Sequence, residues 1–212
     1  MLPEPVRALV EAAAGAVRAS APVGGGDVSR AARVETDAGA VFVKWGAGPA
    51  GRTYAAEAEG LAALADAAGP DLVVPRPLAH LGPEAGGVGA LVLPWLGRGR
   101  PDAEGWRRFG AALAALHRAA PPGGGYGWDA DNWIGSKPQR NGWMEAWPAF
   151  FGERRLRAQA ETVRQRGAWD AAWDPMLDRL VARLPELLPA SPPRSLVHGD
   201  LWAGNAVPLA DG

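Results

Sequence analysis

The sequence contains no cysteine, which excludes a disulfide framework, a thiolate metal site and a cysteine nucleophile. Three histidines are all it has, which argues against a histidine-rich metal centre. Neither sign of charge is in excess. The formal net charge of −1 excludes a strongly basic nucleic-acid-binding face and a polybasic membrane anchor. No apolar run approaches the ~20 residues that a membrane-spanning helix requires. Met1-Leu2-Pro3-Glu4-Pro5 lacks the basic and then apolar order of a secretory signal. Internal repeats are also missing. What remains is a chain of 212 residues with 48% apolar content, ample for a core in one large or two small domains. The expectation is a soluble, cytoplasmic protein that binds neither nucleic acid nor membrane.

The most informative stretch lies near the end: Leu196-Val197-His198-Gly199-Asp200-Leu201-Trp202-Ala203-Gly204-Asn205-Ala206-Val207. Asn205 follows Asp200 by five positions. A kinase catalytic loop has that spacing, with the Asp accepting the proton of the attacking hydroxyl and the Asn holding Mg²⁺. The alternative is a polar turn between two short strands, Leu196-Val197 and Ala206-Val207, with Asp200 and Asn205 as turn residues.

Upstream, Val6, Leu9, Val10, Ala13 and Val17 recur at helical spacing and predict an amphipathic helix over 5–20. Gly24-Gly25-Gly26 leads into a predicted hairpin, Ala31–Val34 and Ala40–Val43, turning at Asp37-Ala38-Gly39. Backbone N–H groups of such a glycine loop can approach phosphates, although most glycine triplets are ordinary turns. Lys44 stands alone in the apolar strand Val41-Phe42-Val43-Lys44-Trp45. In kinases a lysine here contacts the nucleotide phosphates and pairs with a glutamate on the next helix. The predicted helix over 54–68 offers Glu57, with Glu59 in reserve. A solvated lysine and two surface carboxylates are the bland alternative; the kinase-like order of loop, Lys, Glu and Asp-x4-Asn weighs against it.

Val73–Leu78 and Ala90–Leu96 read as further strands of an antiparallel sheet. The second should lead to a hinge where adenine meets the backbone at Leu93, Pro94 and Leu96; Pro94 lacks an N–H, which leaves Leu96 as donor. From Asp102 the pattern turns helical, with Trp106, Phe109, Leu113 and Leu116 on one face and His117 closing it. Asp174–Leu188 makes another amphipathic helix before Pro192-Pro193.

With these parts in order, the chain resembles the fructosamine kinase (ketosamine 3-kinase) family, a branch of the aminoglycoside-phosphotransferase-like kinases. The motifs are His198-Gly199-Asp200-Leu201-Trp202-Ala203-Gly204-Asn205, Tyr126-Gly127-Trp128, Asp131-Asn132-Trp133-Ile134-Gly135-Ser136, Pro138-Gln139, Asn141, and Phe150-Phe151 with Glu153-Arg154-Arg155-Leu156 leading to Gln159. Gly24–Gly26, Phe42–Lys44 and Glu57–Leu61 match as well. The resemblance implies an α+β, bilobal protein-kinase-like fold. Residues 1–96 would form a nucleotide-binding lobe of antiparallel sheet plus helix, and 97–212 a largely helical, incomplete second lobe.

It further implies ATP-dependent phosphorylation of the 3-hydroxyl of ketosamines, free or protein-bound, as a deglycation step. Asp200 would be the base, Asn205 a Mg²⁺ ligand, Lys44 with Glu57 the phosphate clamp, and Gly24, Gly25 and Gly26 the cover over the phosphates. His198 would brace the loop. Trp202, Asn132, Gln139 and Asn141 are candidates for the acceptor side, since rings pack on sugar faces and amides bond hydroxyls. Most of the tryptophans between 128 and 159 should instead form core and caps. Asp27 stands where some relatives carry a cysteine, so thiol regulation is not carried over.

The chain ends at Gly212, before the second metal-binding aspartate and the later helices that the resemblance implies; Asp211 follows Asn205 too closely for that role. The expectation is a C-terminally truncated second lobe, with the activity of this 212-residue form in question. The rivals are another small-molecule kinase of the aminoglycoside or choline type, a nucleotide-binding pseudokinase, and a chain that completes itself as a homodimer.

Overall fold

Period-two alternation along one strand sets the layout of the sheet. The computed structural model describes residues 1–24, 30–83, 87–100, 102–119, 121 and 123–210. These divide into two compact units, Met1–Ala119 with Leu196–Gly212, and Ala120–Ser195. The first unit runs α1 (Glu4–Ala14), β1 (Val17–Pro22), β2 (Arg30–Thr36), β3 (Gly39–Ala47), α2 (Tyr54–Ala67), β4 (Ala79–Leu81), β5 (Val88–Pro94) and α3 (Ala103–Arg118). Its five strands pair antiparallel in the order β1-β2-β3-β5-β4.

Along β3 the side chains alternate between faces. Val41, Val43 and Trp45 join Ala32, Val34, Ala90 and Val92 under α1, which contributes Val6, Val10 and Ala14, with Leu2 packed just before it. Phe42 lies on the opposite face, where Leu91 and Leu93 meet Tyr54, Ala58 and Leu61 of α2. Because β5 is covered on both faces, it reads as an unbroken apolar run rather than an alternating one. Each fully buried valine here is worth about 1.5 kcal/mol or more relative to exposure.

Two expectations are corrected. The opening helix stops at Ala14 rather than Ser20, and Val17–Pro22 is an edge strand. Gly15 ends the helix at φ 81°, a left-handed conformation that favours glycine. Asp37 then draws the chain into the sheet by accepting from Ala16 N (3.2 Å) and Arg18 Nε (2.6 Å). Val73–Leu78 is not a strand either. Pro75 and Pro77 cannot donate to a ladder, and bonding resumes only at Leu78 N, which donates to Val92 O at 2.9 Å. The predicted hairpin, the helix from Tyr54, the strand into Pro94 and the helix after Asp102 are all present.

Asp102 caps α3 through its Oδ1, which accepts from Gly105 N at 2.6 Å. Asp102→Ala is expected to lower stability by about 1 kcal/mol, read as a fall in the urea midpoint at constant slope. Burial in α3 centres on Ala112 and Leu116, whereas Trp106 stays exposed with Phe109 edge-on to it. Leu196-Val197 and Ala206-Val207 form no strands; the segment after them is held where Gly99 N donates to Pro208 O (2.8 Å) and Ala210 N to Gly97 O (3.1 Å).

The second unit holds the hairpin β6 (Asn132–Ile134) and β7 (Lys137–Gln139), α4 (Trp147–Phe150), a π-helical stretch Phe151–Arg157, α5 (Ala158–Gln165) and α6 (Asp174–Leu187). Trp147 lies 5.4 Å from the Tyr126 ring, 5.8 Å from Phe150 and 5.6 Å from Phe151, a packing role for that tryptophan. Gly152 lets α6 approach: a Cβ there would lie 3.1 Å from both Val181 Cγ1 and Leu184 Cδ1.

The start of α6 is tied by Asp174, which accepts from Arg164 and from Trp169 Nε1 (3.1 Å). The Arg164 bond, with a smaller contribution from Trp169, holds the Asp174 carboxyl below the usual carboxylate range. A depressed folded-state pKa means that the contribution is present above the ordinary aspartate value, about 3.9, and is lost as pH falls through the lower folded value. Asp174→Asn is expected to lower the urea midpoint at neutral pH and to flatten its decline on acidification below about pH 4. Among the described residues no helix is long and apolar enough to cross a membrane.

Candidate active site

Lys44 is placed by the β3 register. It occupies the same alternate set as Phe42 and pairs across the ladder with Leu91, so its stem leaves the sheet on the α2 side. Glu57 lies one turn into α2, and the two form an ion pair in which Lys44 Nζ donates to Glu57 Oε1. Glu59, two positions on, is exposed. The helix is set at this height by the preceding 3-10 turn, Gly51–Thr53. That turn lies almost on the backbone of β5: a Cβ on Gly89 would come within 2.1 Å of Gly51 O.

The glycine loop is described only at Gly24, which is exposed; Gly25 and Gly26 lie outside the described residues, as do Asp27 and Asp211. At the end of β5, Leu93 is buried, and Pro94 and Leu96 are partly buried. Trp95 N donates to Ala40 O at 3.2 Å. Among the described residues Leu96 N–H makes no backbone hydrogen bond, so it retains a donor at the strand end.

The loop 198–205 closes on itself. Gly199 has φ 84°, and this left-handed residue turns the chain between His198 and Asp200. Asp200 N donates to His198 Nδ1 at 3.3 Å. Asn205 Nδ2 donates to Asp200 O (2.8 Å) and to Asp200 Oδ2 (3.1 Å), and Asn205 N to Trp202 O (2.8 Å). The five-residue spacing is therefore the span that lets one amide meet both the carbonyl and the carboxylate of Asp200. Trp202 is 63% exposed, its ring lying over Gly204, where a Cβ would come within 2.4 Å of it.

Among the described residues no group of three or more His, Cys, Asp and Glu side chains gathers into a metal cluster. Asp200 and Asn205 still offer hard oxygen donors, one carboxylate and one amide carbonyl. Mg²⁺ usually takes one or two carboxylates and completes its shell with phosphate oxygens and water. The donor set fits that ion.

In the second unit, Gln139 Nε2 donates to Asn132 Oδ1 at 2.9 Å across the β6–β7 pair. Asn141 is 3% exposed and its amide is engaged at both ends: Nδ2 donates to Ala130 O (3.0 Å) and Oδ1 accepts from Arg155 NH2 (2.9 Å). Arg155 also lies over the Phe150 ring at 4.6 Å, and burial lowers its pKa from the usual arginine value. Lys44, Glu57, Asp200 and Asn205 all belong to the first unit. Sequence reasoning passed over Tyr54, whose ring lies under Lys44. Its signal was the i, i+3 spacing to Glu57 on one helix face.

Comparison with known proteins places these features in a family. A sequence model for fructosamine kinases matches residues 4–212. The chain is 39% identical over 173 residues to a Synechocystis protein assigned as a ketoamine kinase, covering 81% of this chain and 55% of that one. It is 32% identical over 208 residues to the chloroplastic protein-ribulosamine 3-kinase of Arabidopsis thaliana, covering 97% of this chain and 62% of that protein. Less than two thirds of either relative is therefore spanned. A solved structure from Thermobifida fusca, assigned as a fructosamine-3-kinase, superposes with a TM-score of 0.79 at 30% identity, covering 98% of this chain and 70% of that one.

Proposed function

The chain belongs to the fructosamine kinase family, and from that premise we propose that it transfers the γ-phosphoryl group of ATP to the sugar 3-hydroxyl of a ketosamine, as a step of deglycation. The observation that carries this reading is the closed Asp200–Asn205 loop. The Asp200 carboxylate is exposed and makes no ion pair among the described residues. It accepts the hydroxyl proton as the sugar oxygen bonds to the γ-phosphorus; the bond from that phosphorus to the bridging oxygen breaks, and ADP leaves with that electron pair. His198 and Asn205 fix the orientation of Asp200. Lys44, held by Glu57, binds the α- and β-phosphates with help from Gly24, Gly25 and Gly26, and the ATP adenine meets the backbone at Leu93, Pro94 and Leu96.

Asn205 would hold Mg²⁺, which when bound would neutralise phosphate charge. Residues 1–96 serve the nucleotide, and 97–212 the acceptor and the catalytic loop. On the acceptor side, Trp202 offers an exposed ring, and Asn132 and Gln139 a paired amide on a hairpin. The buried Asn141 contributes by holding the turn before that hairpin, through Ala130 and Asp131. The cytoplasm is the proposed site of action.

The test is ATP consumption with fructosamine, ribulosamine and erythrulosamine acceptors, beside an aminoglycoside and choline. Phosphorus NMR of the product should show a 3-phosphate on the ketosamine. Turnover confined to the aminoglycoside or to choline would sink the reading.

A further inference from the structure

The Lys44 ammonium is bounded on two sides. Glu57 pairs with it, and the Tyr54 ring lies beneath it with the Nζ 5.5 Å from the ring centroid. The ring is 1% exposed, while the Lys44 and Glu57 side chains keep 22% and 36% of their exposure. A lysine on a four-carbon stem and a partly solvated carboxylate make a pair that is loosely fixed on its own. A cation over a buried aromatic face is attracted by the ring quadrupole, more strongly as water is excluded.

The ring cannot itself shift freely. Tyr54 opens α2 directly after the 3-10 turn, where Thr53 Oγ1 donates to Ala50 O at 2.9 Å. On the β3 side, a Cβ added to Gly46 would come within 3.3 Å of the Tyr54 hydroxyl. Leu91, Leu93 and Ala58 pack around it. Tyr54 and Glu57 share one face of the helix at i, i+3, so the same turn of α2 delivers both the carboxylate and the ring to one ammonium.

We propose that Tyr54 is a positioning residue: its ring fixes the Lys44 ammonium against Glu57, so that the cation is presented to the nucleotide phosphates instead of sampling solvent. This rests on the reading of Lys44 as the phosphate-binding lysine. The role assigned here is that of the ring face.

The composition makes the test clean, because Lys44 and Lys137 are the only lysines in the chain. Protein labelled with ¹³C,¹⁵N-lysine shows two ε-methylene signals, assigned by Lys137→Arg. In the wild-type protein the Lys44 signal is expected to be displaced upfield by the ring. Tyr54→Phe retains the displacement and the calorimetric affinity for ATP. Tyr54→Leu and Tyr54→Met return the signal to its unstructured position and weaken ATP binding by roughly fivefold to thirtyfold. The wild-type displacement needs no variant, so a leucine protein that fails to fold does not remove the test.

A Lys44 signal at the unstructured position in wild-type protein overturns the proposal. So does unchanged ATP affinity in a folded Tyr54→Leu or Tyr54→Met protein whose Lys44→Met counterpart loses it. If Lys44→Met binds ATP as the wild type does, or if the wild type binds none, the phosphate-binding reading of Lys44 falls, and the positioning role falls with it.

Discussion

Asp200→Asn is expected to lower ketosamine-dependent ADP release by about 10²- to 10⁴-fold while leaving the unfolding free energy from a urea titration within ~0.5 kcal/mol of wild type. The two outcomes separate because the loop has two attachments. Asn205 Nδ2 reaches the backbone carbonyl of residue 200 at 2.8 Å as well as the carboxylate at 3.1 Å. The first bond survives the substitution, and an amide oxygen at position 200 can still accept the second. Asp200 is also exposed, so no buried group is orphaned. What disappears is the proton acceptor. Assays with saturating ATP and acceptor, run beside a urea titration, check both halves. Turnover within tenfold of wild type would remove Asp200 from the role of base.

Gly89→Val should act in the opposite way, through stability first. The backbones of Gly51 and Gly89 touch: a Cβ at 89 would lie 2.1 Å from Gly51 O and 2.7 Å from its carbonyl carbon, and one at 51 would lie 2.8 Å from Gly89 N. Atoms that close cannot be relieved by a side-chain rotation, since both partners are main chain. One of the two elements has to move, either β5 in the interior of the sheet or the turn that carries α2. Overpacking of this kind costs about 3 kcal/mol or more. The expected result is a large fall in the thermal and urea midpoints, with ATP affinity lost in whatever fraction stays folded because Glu57 and Tyr54 travel with α2. An unfolding free energy within ~1 kcal/mol of wild type would show that the turn yields freely.

How much of this was legible in the sequence depended on where the determining interaction lay. From order, Lys44 could be matched to the first turn of the following helix, with Glu57 preferred and Glu59 in reserve; the fold pairs it with Glu57. Asp200 and Asn205 were equally visible, since their spacing is the interaction. Helix α1 was overextended because Val17 continues the 3.6-residue period. What ended the helix was Gly15 together with Asp37, a partner 21 residues further on in its bond to Ala16, and periodicity cannot see that. Val73–Leu78 has strand composition, but its prolines remove the donors that a ladder would need. Asn141 looked like a surface amide available to a sugar; only the fold shows it buried, with Ala130 and Arg155 at its two ends. The Gly51–Gly89 contact joins residues that nothing in the sequence connects.

The strand that carries Lys44 also makes the site fragile in a way that no point substitution reveals. Lys44 faces α2 only because an even number of steps separates it from Phe42, while Val41, Val43 and Trp45 face α1. Deleting one residue from the turn at Asp37–Ala38, while the β2 pairing is kept, would exchange the two sets. A lysine would then point into the apolar layer under α1, and three large apolar side chains would stand on the α2 side beside Glu57. The hairpin turn thereby sets the parity of the Lys44–Glu57 pair. Insertions and deletions there should be tolerated only in pairs.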